Sequence, residues 1–286
     1  NCIIPSLRGK FRSVPEERYL AQAEYMASQG VKELILVAQE TTVYGTDLYG
    51  KKTLHILLKK LCQIKGIRWI RVLYCYPEEI YDELIQVMKE EKKICNYLDL
   101  PIQHASDRIL KRMGRRTTRK QLEDIIAKLR REIPDIVLRT SLITGFPGET
   151  QEDHEELMEF VDEMEFDRLG VFTYSPEEGT PAETMEGQVP EEVKEERRDE
   201  LMSLQQEISL EKGDERIGQE LLVMIEGKVS GESAYIARTY ADAPKVDGYI
   251  FVQTGELLVT GDFARVRVTG ALEYDLIGEL ADEYTE

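Results

Sequence analysis

Residues 138–150 read LRTSLITGFPGET, and the assignment of the fold turns on them. Ile136 to Ile143 is apolar and partly β-branched, the pattern of a buried strand. Gly145, Pro147 and Gly148 then break it, giving a loop where backbone can approach a ligand closely. Thr150, with Asp153 three residues on, starts a helix in the manner of a capping box. Leu157, Phe160, Val161 and Met164 recur at helical spacing, so that helix buries one face. A strand, glycine loop and helix in succession form a ligand-binding unit at the carboxyl end of a parallel sheet. A tight β-to-α turn without a ligand explains the periodicity equally well. Arg139 tips the reading toward a ligand, because an arginine inside an apolar strand needs an anionic partner.

Outward from this stretch the unit repeats. Short apolar runs at 33–38, 68–74, 97–100 and 168–174 flank it, separated by helical patterns at 15–29, 53–65, 80–90, 106–113 and 118–132. Ser13, Thr53, Ser106 and Thr118 are candidate caps, and Gly30, Gly66 and Gly114 candidate stops. Five strands alternating with helices through right-handed crossovers make an α/β fold, a partial TIM-type (β/α) barrel of parallel strands. Residues 190–214 form a long charged helix with a thin stripe of Leu201, Leu204 and Ile208. Beyond Gly218 the pattern alternates with period two between glycine-rich turns, which predicts a small C-terminal antiparallel β-barrel. The expected division is 1–214 and 215–286.

Bulk properties narrow the function. The 286 residues carry 42% hydrophobic content, enough for a real core, with no apolar run of membrane-spanning length and no signal peptide, so a cytoplasmic protein without a membrane partner is expected. Cys2, Cys62, Cys75 and Cys95 are scattered without a CxxC pair; a disulfide framework is not expected, and the last three read as core residues. The net charge of −18 disfavours a phosphate backbone and favours a basic protein partner. The tail from 217 to 286 repeats that bias, with 5 Lys and Arg against 13 Asp and Glu. Only a clustering of Arg238, Lys245, Arg265 and Arg267 on one face would favour RNA. Polar residues just after strands sit at the rim where barrel chemistry happens: Gln39 and Glu40 after the first run, Gln103 and His104 after the third. Ordinary loop polarity, or a structural histidine, is the simpler explanation of each. Cys2 by itself is as well explained by a chance terminal cysteine.

Taken in order, NCIIPSLRG, AQETTVYG, LYCYPEE, LDLPIQHASDRILKRMGRR, RTSLITGFPGET, FTYSPEEGTPA and EYDLIGEL resemble the radical S-adenosylmethionine methylthiotransferases along nearly the whole chain. The wording PIQHAS and YDLIGE is similar to the branch that methylthiolates an aspartate β-carbon of a small-subunit ribosomal protein, with tRNA adenosine as the sister branch's substrate. The resemblance implies a CxxxCxxC motif ending at Cys2, with its first two cysteines, the first barrel strand and an N-terminal domain carrying a second cluster all upstream. It implies a 4Fe–4S cluster with one iron open to S-adenosylmethionine, an electron donor such as flavodoxin or ferredoxin, and a tail of the TRAM type. By the same resemblance Arg139 pairs the methionine carboxylate, Gln39 and Glu40 hold its amino group, Gln103 and His104 reach the ribose, and Ile143 with Gly145 to Gly148 borders the adenine. The alternative of another class is a non-catalytic protein- or RNA-binding module.

Overall fold

The computed structural model describes residues 3–281. A short helix α1 (Ile4–Arg8) leads to α2 (Glu16–Ser28), and β1 (Glu33–Leu36) opens the sheet. After it come α3 (Thr46–Tyr49), α4 (Leu54–Cys62), β2 (Trp69–Val72), α5 (Asp82–Glu90) and β3 (Ile94–Asp99). Then follow α6 (Asp107–Arg112), α7 (Arg119–Glu132), β4 (Val137–Thr144), α8 (Gln151–Met164), β5 (Arg168–Thr173) and the long α9 (Glu191–Asp214). The sheet runs β1-β2-β3-β4-β5, with every neighbouring pair parallel. This is the expected partial TIM-type arrangement, and among the described residues no strand pairs with the outer edge of β1.

The alternation of strand side chains divides the sheet into two faces. Leu34, Ile70, Val72, Leu98, Leu138 and Leu142 join the helices in one continuous core. Capping fixes where two of those helices start. Thr118 with Gln121, and Thr150 with Asp153, each form a reciprocal capping box, satisfying N–H groups that the first turn leaves unpaired. Three expected caps are absent. Ser106 precedes α6 but makes no side-chain cap, its hydroxyl donating to Asp153 Oδ1 at 2.6 Å instead. Pro15, not Ser13, precedes α2, and Ser13 instead accepts from Gly45 N–H at 3.0 Å; Thr53 makes no side-chain cap. The third strand begins at Ile94, three residues before the expected run: Ile94 and Cys95 are buried, and the polar, half-buried Asn96 that follows them cut them off from the apolar run beginning at Tyr97.

The C-terminal barrel contains β6 (Glu220–Lys228), β7 (Ala234–Arg238), β8 (Ile250–Gln253), β9 (Phe263–Ala271) and β10 (Leu276–Leu280), closed in the order β10-β8-β7-β6-β9. The expectation of a purely antiparallel barrel is corrected: β8 and β10 pair in parallel, because β9 crosses between them in sequence to close the cylinder on β6. The barrel does not hang free. Met224, Ala241, Ala243 and Phe263 pack on Trp69, Cys95, Tyr97 and Val137, which line the second face of the sheet near the strand starts. Trp69 and Phe263 meet edge to face at 4.9 Å, worth about 1 kcal/mol beyond burial.

Candidate functional site

Above that plugged end, the second face of the sheet opens toward the strand tops. Ile35, Val37, Tyr74 and Phe172 stand there exposed, with Val37 at 61% and Phe172 at 59%. Large apolar groups left in water at the carboxyl ends of parallel strands mark a place where something else binds. Two non-glycine residues at strand tops, Tyr74 (φ 58°) and Gln103 (φ 74°), adopt the left-handed conformation. Such strain persists where surrounding structure enforces it, and it gathers at binding sites. Gln103 is pinned by Gln103 N–H to Ser141 O at 3.0 Å and Ile143 N–H to Gln103 O at 2.8 Å, extending the ladder past β3. Neither Tyr74 nor Phe172 was marked by the sequence. The left-handed backbone of Tyr74 has no residue-type signature, and only the period of β5 places Phe172 on this face.

Arg139 occupies the middle of the same face. Its Nη1 donates to Asp99 Oδ1 at 2.8 Å and to Ser141 Oγ at 3.3 Å, and its Nε lies 3.4 Å from Asp247 Oδ1. Burial works against the guanidinium's charge, but Asp99, Tyr97 and Asp247 outweigh it and raise its pKa. The anionic partners that an arginine in a strand requires are thus present within the protein. Nη2 makes no hydrogen bond among the described residues and lies on the side of Gly170, whose missing side chain leaves space beside it. That edge keeps a guanidinium donor for a carboxylate ligand, and this is the observation by which S-adenosylmethionine suits the site.

The other expected site residues divide. Gln39 is exposed at the rim and Ile143 is half-buried there. Glu40 is spent on the loops: it accepts from Thr42 N–H and Tyr76 N–H, both at 2.8 Å, and from the Thr42 hydroxyl. Burial nevertheless pushes its carboxyl up. His104 is fully buried and faces away from the opening. Its Nδ1 accepts from Ser106 N–H at 3.0 Å and its Nε2 lies 3.4 Å from Glu149 Oε2. Glu149 also takes Gly145 N–H at 2.9 Å and Arg197 Nη1 at 2.8 Å. Burial would raise that carboxyl; His104, the Gly145 N–H and Arg197 overcome it and hold it below the usual range. The geometry makes His104 a brace of the 145–149 loop in place of the implied ribose contact.

The loop glycines have a packing role. A Cβ on Gly145 (φ 71°) would lie 2.1 Å from Lys194 Cγ, and one on Gly148 (φ 86°) 2.8 Å from Arg112 Nε. Both close approaches are already filled by side chains, so the implied adenine border does not run over the glycine backbone itself. Ile143 is the member of that set nearest the opening. Cys2 lies outside the described residues. Among the described residues no group of three or more His, Cys, Asp or Glu is arranged to hold a metal ion. Cys62, Cys75 and Cys95 are buried thiols, and burial pushes Cys62 and Cys95 up to about 11.

Comparison with known proteins agrees with this geometry. The family described as the radical SAM superfamily matches residues 2–161, more than half of the chain, and the TRAM domain family matches residues 217–281. A protein of Lachnoclostridium phytofermentans named ribosomal protein uS12 methylthiotransferase RimO is 63% identical over 97% of this chain and 63% of its own length. Proteins of the same name are 52% identical in Clostridium botulinum (100% of this chain, 64% of that protein) and 54% identical in Pelotomaculum thermopropionicum (97% and 63%). The chain spans a little under two thirds of the length of these relatives. With the parallel sheet, its open carboxyl end and the matched span in agreement, the chain belongs to the radical SAM superfamily.

Proposed function

We propose that this chain is the sheet domain (1–214) and TRAM-type barrel (215–286) of a radical S-adenosylmethionine methylthiotransferase that modifies an aspartate of ribosomal protein uS12. The identity of 63% over 97% of the chain with a relative of that name carries the reading. The end of α9 at Asp214 and the first barrel strand at Glu220 support the division. The missing first strand and two further cluster cysteines belong upstream. A groove of about 450 Å³ along the free edge of β1, lined by Leu34, Leu36, Ala23, Met26, Leu57 and Leu61, supports that strand's place.

Within this reading Arg139 holds the methionine carboxylate at Nη2, with Asp99 and Ser141 fixing its plane. Gln39 and Gln103 are the rim groups left to meet the amino group and ribose. Ile35, Val37, Tyr74 and Phe172 exclude water around the bound cofactor and substrate. Cys2 is one cluster ligand. When bound, the cluster and S-adenosylmethionine together supply one-electron chemistry at an unactivated carbon, and the protein supplies position and a dry surface.

The net charge of −18 supports a basic protein substrate, and a ferredoxin- or flavodoxin-type donor supplies the electron. The proposed site of action is the cytoplasm; among the described residues no helix is long and apolar enough to cross a membrane. The test incubates the full-length, cluster-loaded protein with uS12 and, separately, with tRNA, and follows mass. Gain of a methylthio group on uS12 alone is expected. Modification of tRNA alone would overturn the substrate while leaving the chemistry.

A further inference from the structure

Asp247 lies between β7 and β8 of the small barrel, yet it faces Arg139 in the middle of the sheet. One oxygen, Oδ2, accepts from the Tyr97 hydroxyl at 2.6 Å and from Ala243 N–H at 2.8 Å. The other, Oδ1, stands 3.4 Å from Arg139 Nε. Asp99 fixes one edge of the guanidinium through Nη1 and Asp247 steadies another through Nε, leaving Nη2 aimed at the open side by Gly170. We infer that Asp247 is a positioning residue for Arg139, so that the docked barrel forms the floor of the cofactor site. This rests on the proposal that Arg139 holds the cofactor's carboxylate; it adds that the barrel, beyond any hold on substrate, sets cofactor affinity.

The chemistry of the contact gives a sharp variant. In Asp247→Asn the two donors at Oδ2 keep the amide oxygen on their side, which turns the NH2 toward Arg139 Nε. Two donors then face each other and the guanidinium is displaced, while the loop keeps its anchors. Two controls loosen the same interface without moving Arg139. Phe263→Leu removes the edge-to-face contact with Trp69 and leaves Asp247 and both its donors in place. Glu226→Gln weakens the rim pair with Arg238, 2.7 Å away from its Nε.

Titration of the full-length, cluster-loaded variants with S-adenosylmethionine tests the inference. Asp247→Asn should weaken binding about tenfold, while both controls stay within about twofold and lower only the melting temperature. Equal affinity in Asp247→Asn and wild type overturns the inference, as does equal weakening in all three variants. Arg139→Ala separates the two levels. If it weakens binding and Asp247→Asn does not, the inference falls alone; if neither weakens binding, the reading of Arg139 falls as well. Should Asp247→Asn not fold, the wild-type protein still decides. Linkage is reciprocal, so saturating S-adenosylmethionine must slow amide exchange over residues 239–247, and an unchanged rate there overturns the inference.

Discussion

The carboxylate of Glu33, on the first sheet strand, accepts a 2.6 Å bond from Nη2 of Arg238, which lies 205 positions further along the chain in the small barrel. Its other oxygen takes Arg71 Nε at 2.9 Å, and Arg71 in turn donates to Tyr240 O at 2.6 Å. Four guanidiniums (Arg71, Arg139, Arg168, Arg238) and four carboxylates (Glu33, Asp99, Asp242, Asp247) interleave in this seam. Charges taken out of water on this scale hold only when each is matched, so removal of one strands its partners.

Glu33→Ala should therefore destabilise the protein by about 3–5 kcal/mol, since the buried Arg71 loses its carboxylate and Arg238 is left with Glu226 alone. Urea unfolding followed by tryptophan fluorescence is a direct readout, because Trp69 packs on barrel residue Phe263. A loss below about 1 kcal/mol would show that water reaches the seam.

Arg139→Ala should weaken binding of S-adenosylmethionine by the full-length, cluster-loaded protein ten- to a hundredfold, the equivalent of about 1.5–3 kcal/mol for a charge-assisted bond. Calorimetric titration measures it. A variant with lower melting temperature but wild-type affinity would mark Arg139 as a purely structural member of the seam.

Asp153 sets an acid limit on stability. Burial alone would raise its carboxyl, but Ser106, the Thr150 N–H and Arg108 overcome that and bring it to about 2. A depressed carboxyl contributes stability above its unfolded value, near 3.8, and loses it as pH falls through the folded value near 2. Asp153→Ala should be less stable than wild type by about 1–2 kcal/mol at pH 7 through the lost cap, with the difference shrinking between about pH 4 and pH 2. Thermal melts across that range check the sign; a constant difference would contradict it.

Gly145→Ala places a methyl where Lys194 already lies and forces a φ of 71° on a residue with a side chain. Lys194 is held by Tyr174 O at 2.8 Å and cannot withdraw freely. A penalty of about 2 kcal/mol or more is expected, seen as a fall in melting temperature of roughly 4–8 °C. An unchanged melting temperature would mean that α9 moves away at little cost.

The parts of this fold that depend on local pattern were legible in the sequence. Period and capping residues gave all five sheet strands, the break at Gly145 to Gly148 and the helix beginning after Thr150. The long helix was legible as a connector, but not that Lys194 and Arg197 along it would be buried, since their partners Tyr174 and Glu149 come from distant loops. For the same reason Arg238 read as a possible member of a basic surface patch with Lys245, Arg265 and Arg267. It is 2% exposed and neutralised by Glu33 and Glu226, and Arg267 pairs with Glu220. Arg139 was found because an arginine within an apolar strand is unusual in any context. Its companion Asp247 was not, because an aspartate in a polar turn is ordinary until the barrel is docked. The burial of His104 likewise depends on Glu149, 45 residues away, and no spacing rule links the two.

The open flank of β1 has a consequence for how this chain behaves at high concentration. No strand among the described residues pairs on its outer side, and Ile35 and Val37 stand exposed along the strand and just past its end. A bare ladder of amides beside aliphatic side chains is a template for any extended segment that can complete it. Two copies presenting this flank would meet edge to edge, so self-association growing with concentration is the behaviour that this strand imposes until a covering strand seals it.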